Sequence, residues 1–276
     1  MPYCDVGDAQ LYYEVADYTD PWRQADTVLL HHAAMGNMTR WYAWVPILAR
    51  HFRVVRFDIR GHGQSSPISP DYKWDINVLA QDAARLLDHL NVNAAHYCGA
   101  SAGGIIGIRF AHRYPQRVKT LTLVAATAQM ADTNADYGQW LKTITSEGVE
   151  AFLMKDAENR FEAGTDRSLI EWFAREGGKN PPHVVAGFAA HMASLDQREL
   201  LSEISCPTLI IGASRDEITP VRTQHVLRDR LPDAELVLLD RKGHNISTSD
   251  PEECAQAMLA FLQRRGYVSP ADGLGS

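Results

Sequence analysis

Two patterns of apolar and polar positions alternate along most of this chain. Short, continuous apolar runs are typical of strands buried on both faces. They are followed by longer stretches in which apolar residues recur every three or four positions, as on one face of a helix. The clearest helix covers residues 76–90, and its apolar face consists of Leu79, Ala83, Leu86, Leu87 and Leu90. The alternation predicts an α/β protein with a mostly parallel central sheet flanked by helices.

The predicted elements follow from the same two patterns. Residues 3–16 are expected to form two short strands around a turn at Gly7-Asp8. Further strands are predicted at residues 27–30, 52–59, 93–98, 118–126, 207–211 and 235–239. Further helices are predicted at residues 38–50, 103–113, 220–231 and 251–265. Six of the predicted strands therefore precede residue 131, and two follow residue 201.

The pattern changes between residues 131 and 201, where no strong strand run occurs. Apolar residues recur there at helical spacing, and the large ones among them are Trp140, Phe152, Trp172 and Phe188. We interpret this segment as a helical cap inserted after the sixth strand. The predicted domains are a core formed by residues 1–130 and 202–276 and a cap, or lid, formed by residues 131–201.

Composition argues against several classes of protein. With 276 residues, 45% of them hydrophobic, the chain can bury a large core. The net charge of −7 and the lack of a basic run argue against nucleic acid or an anionic membrane as a partner. No apolar run has the length of a transmembrane helix, and the first residues do not resemble a signal peptide. The four cysteines are widely separated, which suits reduced thiols, so we expect a cytoplasmic protein. Nothing in the pattern indicates an oligomeric state.

The most informative motif is Gly99-Ala100-Ser101-Ala102-Gly103, a G-x-S-x-G between a predicted strand and a predicted helix. In such a turn the serine has a strained backbone that exposes its hydroxyl, and glycines are required where strand and helix pass closely. The free N–H groups at the start of the helix then face any oxyanion formed at the serine. The pentapeptide alone is also compatible with a glycine-rich turn that buries an ordinary serine.

A serine hydroxyl becomes a good nucleophile only when a base takes its proton and a carboxylate orients that base. Two later loops, each after a predicted strand, supply Asp216 and His244. The order Ser101, Asp216, His244 is the one expected for a hydrolase with this elbow, so we predict these three as the catalytic residues. Asp240, in the same loop as His244, is the alternative acid. His62, in a Gly-His-Gly turn, is the alternative base.

An acyl-transfer reaction also needs two N–H donors for the oxyanion. We predict the N–H of Ala102, directly after the nucleophile, as the first donor. The second is predicted to be the N–H of Ala33, in the loop after the third strand, with Ala34 as the alternative. The small residues in this loop allow the backbone to approach a substrate.

Three residues are predicted to contact the substrate: His32, Trp41 and Trp140. The alternatives are that His32 orders its own loop and that the two tryptophans are ordinary core residues. No metal site is expected, because the sequence has neither a His-x-x-x-His pair on a helix nor a Cys/His cluster. No cofactor is expected either, because no glycine-rich phosphate loop is found.

These motifs together resemble the α/β-hydrolase fold superfamily over essentially the whole chain. Within it, the chain resembles 3-oxoadipate enol-lactonases and related carboxylesterases. The similar segments are residues 51–65 (HFRVVRFDIRGHGQS), 96–104 (HYCGASAGG), 115–124, 186–196 and 204–209. The resemblance implies an α/β-hydrolase fold and a serine hydrolase that cleaves an ester or lactone bond of a small organic substrate through an acyl-enzyme intermediate.

The chain departs from that group in two places, both at the expected pocket. The oxyanion loop reads HHAAMG at residues 31–36, and the elbow has Ala100 and Ala102 where larger residues are usual. Alternatives to an esterase or lactonase are a hydrolase of a C–C bond in a dienoic keto acid and a slow-turnover ligand receptor. An anionic, 3-oxoadipate-type substrate would require a cation in the cap. Lys142 and Arg160 are available, although solvation on a helix surface explains both at least as well.

Overall fold

An eight-stranded sheet forms the centre of the protein, whose computed structural model describes residues 2–268. Its strands are β1 (Tyr3–Asp5), β2 (Gln10–Ala16), β3 (Thr27–His31), β4 (Arg53–Phe57), β5 (Ala95–Ala100), β6 (Val118–Val124), β7 (Thr208–Arg215) and β8 (Ala234–Lys242). They lie in the order β1-β2-β4-β3-β5-β6-β7-β8. The pairings β1–β2 and β2–β4 are antiparallel, and the other five are parallel. The predicted, mostly parallel sheet is therefore confirmed.

Helices connect these strands. They are α1 (Trp44–Leu48), α2 (Ile76–His89), α3 (Ala102–Arg113), α4 (Tyr137–Glu147), α5 (Val149–Lys155), α6 (Ala157–Arg160), α7 (Arg167–Gly178), α8 (Pro182–Ala193), α9 (Val221–Arg230), α10 (Ile246–Ser249) and α11 (Pro251–Arg264). Short 3-10 turns lie at Met38–Trp41, Pro115–Arg117, Met130–Asp132 and Arg198–Glu203. None of the helices within residues 2–268 combines the length and the apolar character needed to cross a bilayer.

Different helices cover the two faces of the sheet, with α2, α3 and α9 on one face and α1 and α11 on the other. Neighbouring residues of a strand point to opposite faces. Leu29 of β3 accordingly packs in the cluster below α2 and α3, whereas Val28 and Leu30 pack below α1 and α11. Because both faces of β3 are buried, its sequence is a continuous apolar run.

Several predicted boundaries differ from the structure, and two of them differ most. The helix expected at residues 38–50 is a 3-10 turn followed by the short helix α1, and Asn37 caps the turn by accepting the N–H of Thr39 at 2.9 Å. Strand β7 continues four residues past its predicted end at residue 211, because Gly212, Ala213 and Arg215 still pair with β8. Backbone pairing does not require apolar side chains at a sheet end, so hydrophobicity alone marked this end too early.

The cap consists of α4–α8, which lie between β6 and β7. This confirms the predicted helical cap after the sixth strand. Its helices share a hydrophobic cluster that includes Ile144, Phe152 and Phe173, and Met35 from the loop after β3 packs into the same cluster. The predicted domain boundaries at residues 131 and 201 stay a prediction. Residues 269–276 of the predicted core domain lie outside the described residues.

Candidate active site

Ser101 lies at the corner between β5 and α3. Its backbone has φ 49° and ψ −113°, a conformation that costs a non-glycine residue about 1–3 kcal/mol. A Cβ on Gly99 would lie 2.3 Å from the carbonyl oxygen of Gly103, and a Cβ on Gly103 would lie 2.2 Å from that of His31. The close passage that the sequence indicated is therefore present. The corner directs the Ser101 side chain into a cavity at the carboxyl ends of the strands.

Three side chains from different loops meet at this corner. Nε2 of His244 lies 2.9 Å from Oγ of Ser101, and Nδ1 of His244 lies 2.9 Å from Oδ2 of Asp216. An ionised carboxylate can only accept a hydrogen bond, so it selects the tautomer of His244 with hydrogen on Nδ1. The lone pair on Nε2 then faces the serine hydroxyl. The structure thus brings together the three residues predicted from their order in the chain.

Asp216 is held by its own loop as well as by the histidine. Its Oδ1 accepts the backbone N–H groups of Ile218 at 2.7 Å and Thr219 at 2.9 Å, and its Oδ2 accepts the Thr219 hydroxyl at 2.6 Å. Burial by itself raises the pKa of Asp216, but His244 and the bonds from Thr219 outweigh it and lower the pKa overall. The carboxylate therefore stays ionised beside the histidine.

The two alternative residues lie elsewhere. The side chain of Asp240 is 88% exposed and accepts a hydrogen bond from the Ser214 hydroxyl. His62 is fully buried, and its ring nitrogens face the backbone carbonyls of Ala34 at 2.9 Å and Arg60 at 3.2 Å. Asp240 therefore does not replace Asp216 as the partner of His244, and His62 does not replace His244 as the partner of Ser101.

The cavity beside Ser101 has a volume of about 40 Å³. Its lining consists of Ala33, Ala34, Met35, Arg40, Ser101, Ala102, Ile105, Met130, Tyr137, Trp140, Arg160, Ala189, Met192, Ile218, Thr219, His244 and Asn245. Both predicted oxyanion segments and Trp140 are thus at the cavity wall. The volume holds only a few water molecules. In this conformation the space directly beside the half-buried Ser101 is narrow.

Two predicted substrate contacts require correction. Trp41 is 1% exposed and packs edge-on against Trp44 in the core on the α1 and α11 side of the sheet, with ring centres 4.9 Å apart. His32 is also 1% exposed, and its ring bonds to backbone groups of Ala33 and Ile59. Neither side chain belongs to the cavity wall. Apolar spacing predicted burial of Trp41 but not the face on which it is buried.

Sequence reasoning missed the burial of Arg160. The side chain is 5% exposed and belongs to the cavity wall, whereas Lys142 is exposed as a solvated helix residue. It also missed Arg40, Tyr137, Thr219 and Asn245 at the cavity. An arginine in a helical pattern is normally assigned to the surface. The position of Arg160 one residue before the buried Phe161, at the end of a short helix, was the available signal.

The buried histidines predict a loss of stability in acid. Burial lowers the pKa of His31 to about 3 and that of His62 to about 4, whereas an unfolded histidine has a pKa of about 6.5. Protons therefore bind preferentially to the unfolded chain. The stability present above pH 6.5 is lost as the pH falls towards these folded-state values, by about 1.4 kcal/mol per pH unit for each histidine.

Denaturant unfolding between pH 5.5 and 4.5 measures this slope. His62→Gln should make it shallower by about 1.4 kcal/mol per pH unit, because one proton fewer is taken up on unfolding. His112→Gln is the control, since His112 is partly exposed and bonds to the surface residue Glu203. Equal slopes for the unmodified protein and His62→Gln would mean that His62 is not held neutral by the fold.

The fold and the site together define a class of protein. Residues 26–251 match the profile of the family described as alpha/beta hydrolase fold. The chain therefore belongs to the α/β hydrolase fold family and is an enzyme of the hydrolase class. Within residues 2–268, no group of three or more His, Cys, Asp or Glu side chains is arranged to hold a metal ion.

Three known proteins illustrate the similarity. The putative carbamate hydrolase RutD of Agrobacterium fabrum is 27% identical over 259 residues, which cover 91% of this chain and 98% of that protein. The enol-lactonase from Burkholderia xenovorans LB400 has a TM-score of 0.85 and 23% identity, covering 95% of this chain and 100% of that one. The thermophilic esterase from Thermogutta terrifontis has a TM-score of 0.82 and 25% identity, covering 96% and 97%. The similarity thus extends over nearly the whole chain, cap included.

Proposed function

We propose that this protein is a serine hydrolase that cleaves an ester or lactone bond of a small organic substrate. The observation that carries the proposal is the unbroken chain of hydrogen bonds from Asp216 through His244 to Ser101, with both links at 2.9 Å. It opens on a cavity whose walls are mostly apolar. This arrangement provides a nucleophile, a base and an orienting carboxylate, which are the groups that acyl transfer requires.

The reaction has two steps. Oγ of Ser101 attacks the carbonyl carbon while Nε2 of His244 takes the hydroxyl proton, and the carbonyl electron pair moves to the oxygen. When that pair returns, the bond to the leaving oxygen breaks, and the leaving oxygen takes the proton from His244. Water then attacks the acyl-serine, gives a proton to His244 and displaces Ser101, which recovers the proton.

The oxyanion in both steps needs N–H donors at fixed positions. Ala102 begins α3 directly after the nucleophile, so its N–H is the first donor. Ala33, with Ala34 as the alternative, lies across the cavity in the loop after β3. The similar proteins are named for carbamate, enol-lactone and ester hydrolysis. In all three reactions, attack on a carbonyl carbon turns the carbonyl oxygen into an oxyanion. This shared chemistry supports a role for the two N–H donors in stabilising an oxyanion here.

Arg160 indicates the charge of the substrate. Its carboxylate partner is Asp156, the residue directly before α6, at 2.8 Å. Its Nη2 lies 3.8 Å from the sulfur of Met35, a weak acceptor, and its Nε has no hydrogen-bond partner among residues 2–268. The cavity wall contains a second arginine, Arg40, but no aspartate or glutamate. Because a buried guanidinium with an unused donor favours an anion, the substrate carries a negative group, such as a carboxylate, that reaches Arg160.

Replacing Arg160 should therefore separate anionic from neutral substrates. Arg160→Gln is expected to lower kcat/KM for an aryl ester with a terminal carboxylate by about 10- to 100-fold, the effect of losing one charge-assisted hydrogen bond. The decrease for the methyl-capped neutral analogue should be much smaller. Lys142→Gln removes an exposed cation from the same cap and should leave kcat/KM unchanged for both substrates. Equal losses on both substrates would contradict a charge-specific contact.

The proposed function itself is tested with a fluorophosphonate probe and a substrate panel. The labelled residue, identified by mass spectrometry, should be Ser101. Labelling should abolish turnover of aryl esters, lactones or carbamates in the panel. Turnover of a dienoic keto acid alone would favour C–C bond hydrolysis. Tight ligand binding without turnover of any class, or turnover that survives complete labelling, would contradict the proposal.

A further inference from the structure

Four consecutive backbone carbonyls of the oxyanion loop, those of residues 33–36, each accept a hydrogen bond from a buried side chain. The donors are His32, His62, Arg40 and Asn180, and each is at most 6% exposed. We call these four side chains the carbonyl clamp. Two of them, His62 and Asn180, come from segments distant in sequence, so only the folded chain assembles the clamp.

The histidines hold the first two carbonyls. The N–H of Ile59 donates to Nε2 of His32 at 2.9 Å, so the ring proton is on Nδ1, which donates to the Ala33 carbonyl at 2.8 Å. Both ring nitrogens of His62 face carbonyls, and the shorter contact, from Nε2 to the Ala34 carbonyl at 2.9 Å rather than from Nδ1 to that of Arg60 at 3.2 Å, is assigned the single N–H. Burial lowers the pKa of both rings, so both are neutral and each has one N–H to donate. The two histidines therefore use opposite ring nitrogens.

Arg40 and Asn180 hold the next two carbonyls. Nη2 of Arg40 donates to the Met35 carbonyl and also, at 3.2 Å, to the carbonyl of Phe173 in α7. Nδ2 of Asn180, between α7 and α8, donates to the Gly36 carbonyl at 3.1 Å. The cap is thus bonded directly to the oxyanion loop, and the loop has little freedom to rotate its peptide planes.

Fixing the carbonyls also fixes the N–H groups. In a trans peptide, the carbonyl and the following N–H point in opposite directions, and the described chain has no cis peptides. Because the Ala33 carbonyl points towards the ring of His32, the N–H of Ala34 in the same peptide points away from that ring. The His32 carbonyl oxygen lies 2.7 Å from the position of a Cβ on Gly103, at the start of α3. The N–H of Ala33, opposite that carbonyl, therefore points away from the elbow.

We propose that His32 and His62 are positioning residues that hold the oxyanion loop so that the N–H of Ala34, rather than that of Ala33, is the second oxyanion donor. This inference rests on the proposed function. Neither histidine belongs to the cavity wall, so both act through the backbone that they hold and not through contact with the substrate. Arg40 and Asn180 extend the same support to the end of the loop.

Matched amide substitutions test this assignment, because asparagine places its N–H₂ where histidine has Nδ1, and glutamine places it where histidine has Nε2. At His32, asparagine should keep most of kcat, while glutamine lowers it by about 10- to 100-fold, as a displaced oxyanion donor does. At His62 the order should reverse, with glutamine retaining activity and asparagine losing it. Rates are divided by the amount of fluorophosphonate-labelled Ser101, so that unfolded protein does not count.

Affinity for an aryl trifluoromethyl ketone provides a readout that a purely structural role would not change. Its serine adduct carries an oxyanion, so its Kd should rise in parallel with the loss of kcat, while KM changes little. His112→Gln should leave all three quantities unchanged. The proposal would be overturned if the same amide, asparagine or glutamine, retained more activity at both histidines. It would also be overturned if kcat per labelled site were unaltered in all four variants.

If the histidine variants fold too poorly to measure, a backbone ester at residue 34, introduced as lactic acid, removes the N–H directly. It should lower kcat by about 10²–10³-fold, and an unchanged kcat would overturn the assignment to Ala34. Failure of the proposed function is a separate result. It would be seen in the unmodified protein as a Ser101 that does not react with the probe.

Discussion

Replacing Ser101 by alanine should lower kcat for the best ester or lactone substrate by about 10⁴–10⁶-fold. The variant retains the cavity, the histidine and the oxyanion donors, so substrate still binds. It lacks the atom that forms the acyl-enzyme, and only water remains as a nucleophile. The residual rate is then that of binding and oxyanion stabilisation alone. The measurement is single-turnover hydrolysis at saturating substrate, with mass spectrometry to look for the acyl-enzyme.

The free energy of unfolding distinguishes this loss of activity from misfolding. Alanine shares the strained backbone of Ser101, at φ 49°, so the free energy of unfolding should change little. Glycine tolerates this conformation, and Ser101→Gly should therefore be more stable than Ser101→Ala although it is equally inactive. Undiminished turnover by a correctly folded Ser101→Ala protein would remove the basis of the proposed mechanism.

Asp216→Asn should lower kcat by about 10⁴-fold at neutral pH, through the tautomer of His244. The Oδ1 position accepts two backbone N–H groups, from Ile218 and Thr219, so the amide oxygen of asparagine must occupy it. The amide nitrogen then takes the Oδ2 position and donates to Nδ1 of His244. The ring proton moves to Nε2, which faces Ser101 and can no longer accept its proton.

Asp240→Asn is the matched control. It makes the same chemical change at an exposed aspartate close to His244 in sequence, and its activity should equal that of the unmodified protein. Both variants are compared by kcat per folded molecule, with circular dichroism to confirm folding. A large loss in Asp240→Asn, or a small one in Asp216→Asn, would show that the acid has been assigned to the wrong residue.

Local pattern was most informative where one physical requirement governs several neighbouring residues. Burial on both faces makes β3 a continuous apolar run, and the amphipathic face of α2 has helical spacing, so both elements were predictable. The strand-to-helix corner at Ser101 was predictable for the same reason, because the close passage of strand and helix requires the two glycines of the G-x-S-x-G motif. The polar end of β7 was not predictable, since its pairing with β8 depends on backbone groups that every residue has.

The pocket depended on information that no local pattern contains. Trp41 and Trp140 are both aromatic residues at helical spacing, yet one is in the core and the other is at the cavity wall. Lys142 and Arg160 are both cap cations, yet only Arg160 is buried. In each pair, the helix rotation and its packing partner decide the outcome. Both are set by segments far away in the chain.

The sequence by itself determined the class of fold, the cap after the sixth strand and the order of the three candidate catalytic residues. These follow from periodicity, turn chemistry and the position of loops after strands, which are local properties. Only the tertiary structure decided that Asp216 rather than Asp240 meets His244, that Arg160 faces the cavity, and that four side chains hold the oxyanion loop. Those are contacts between distant segments, and their geometry exists only once the sheet and cap have packed.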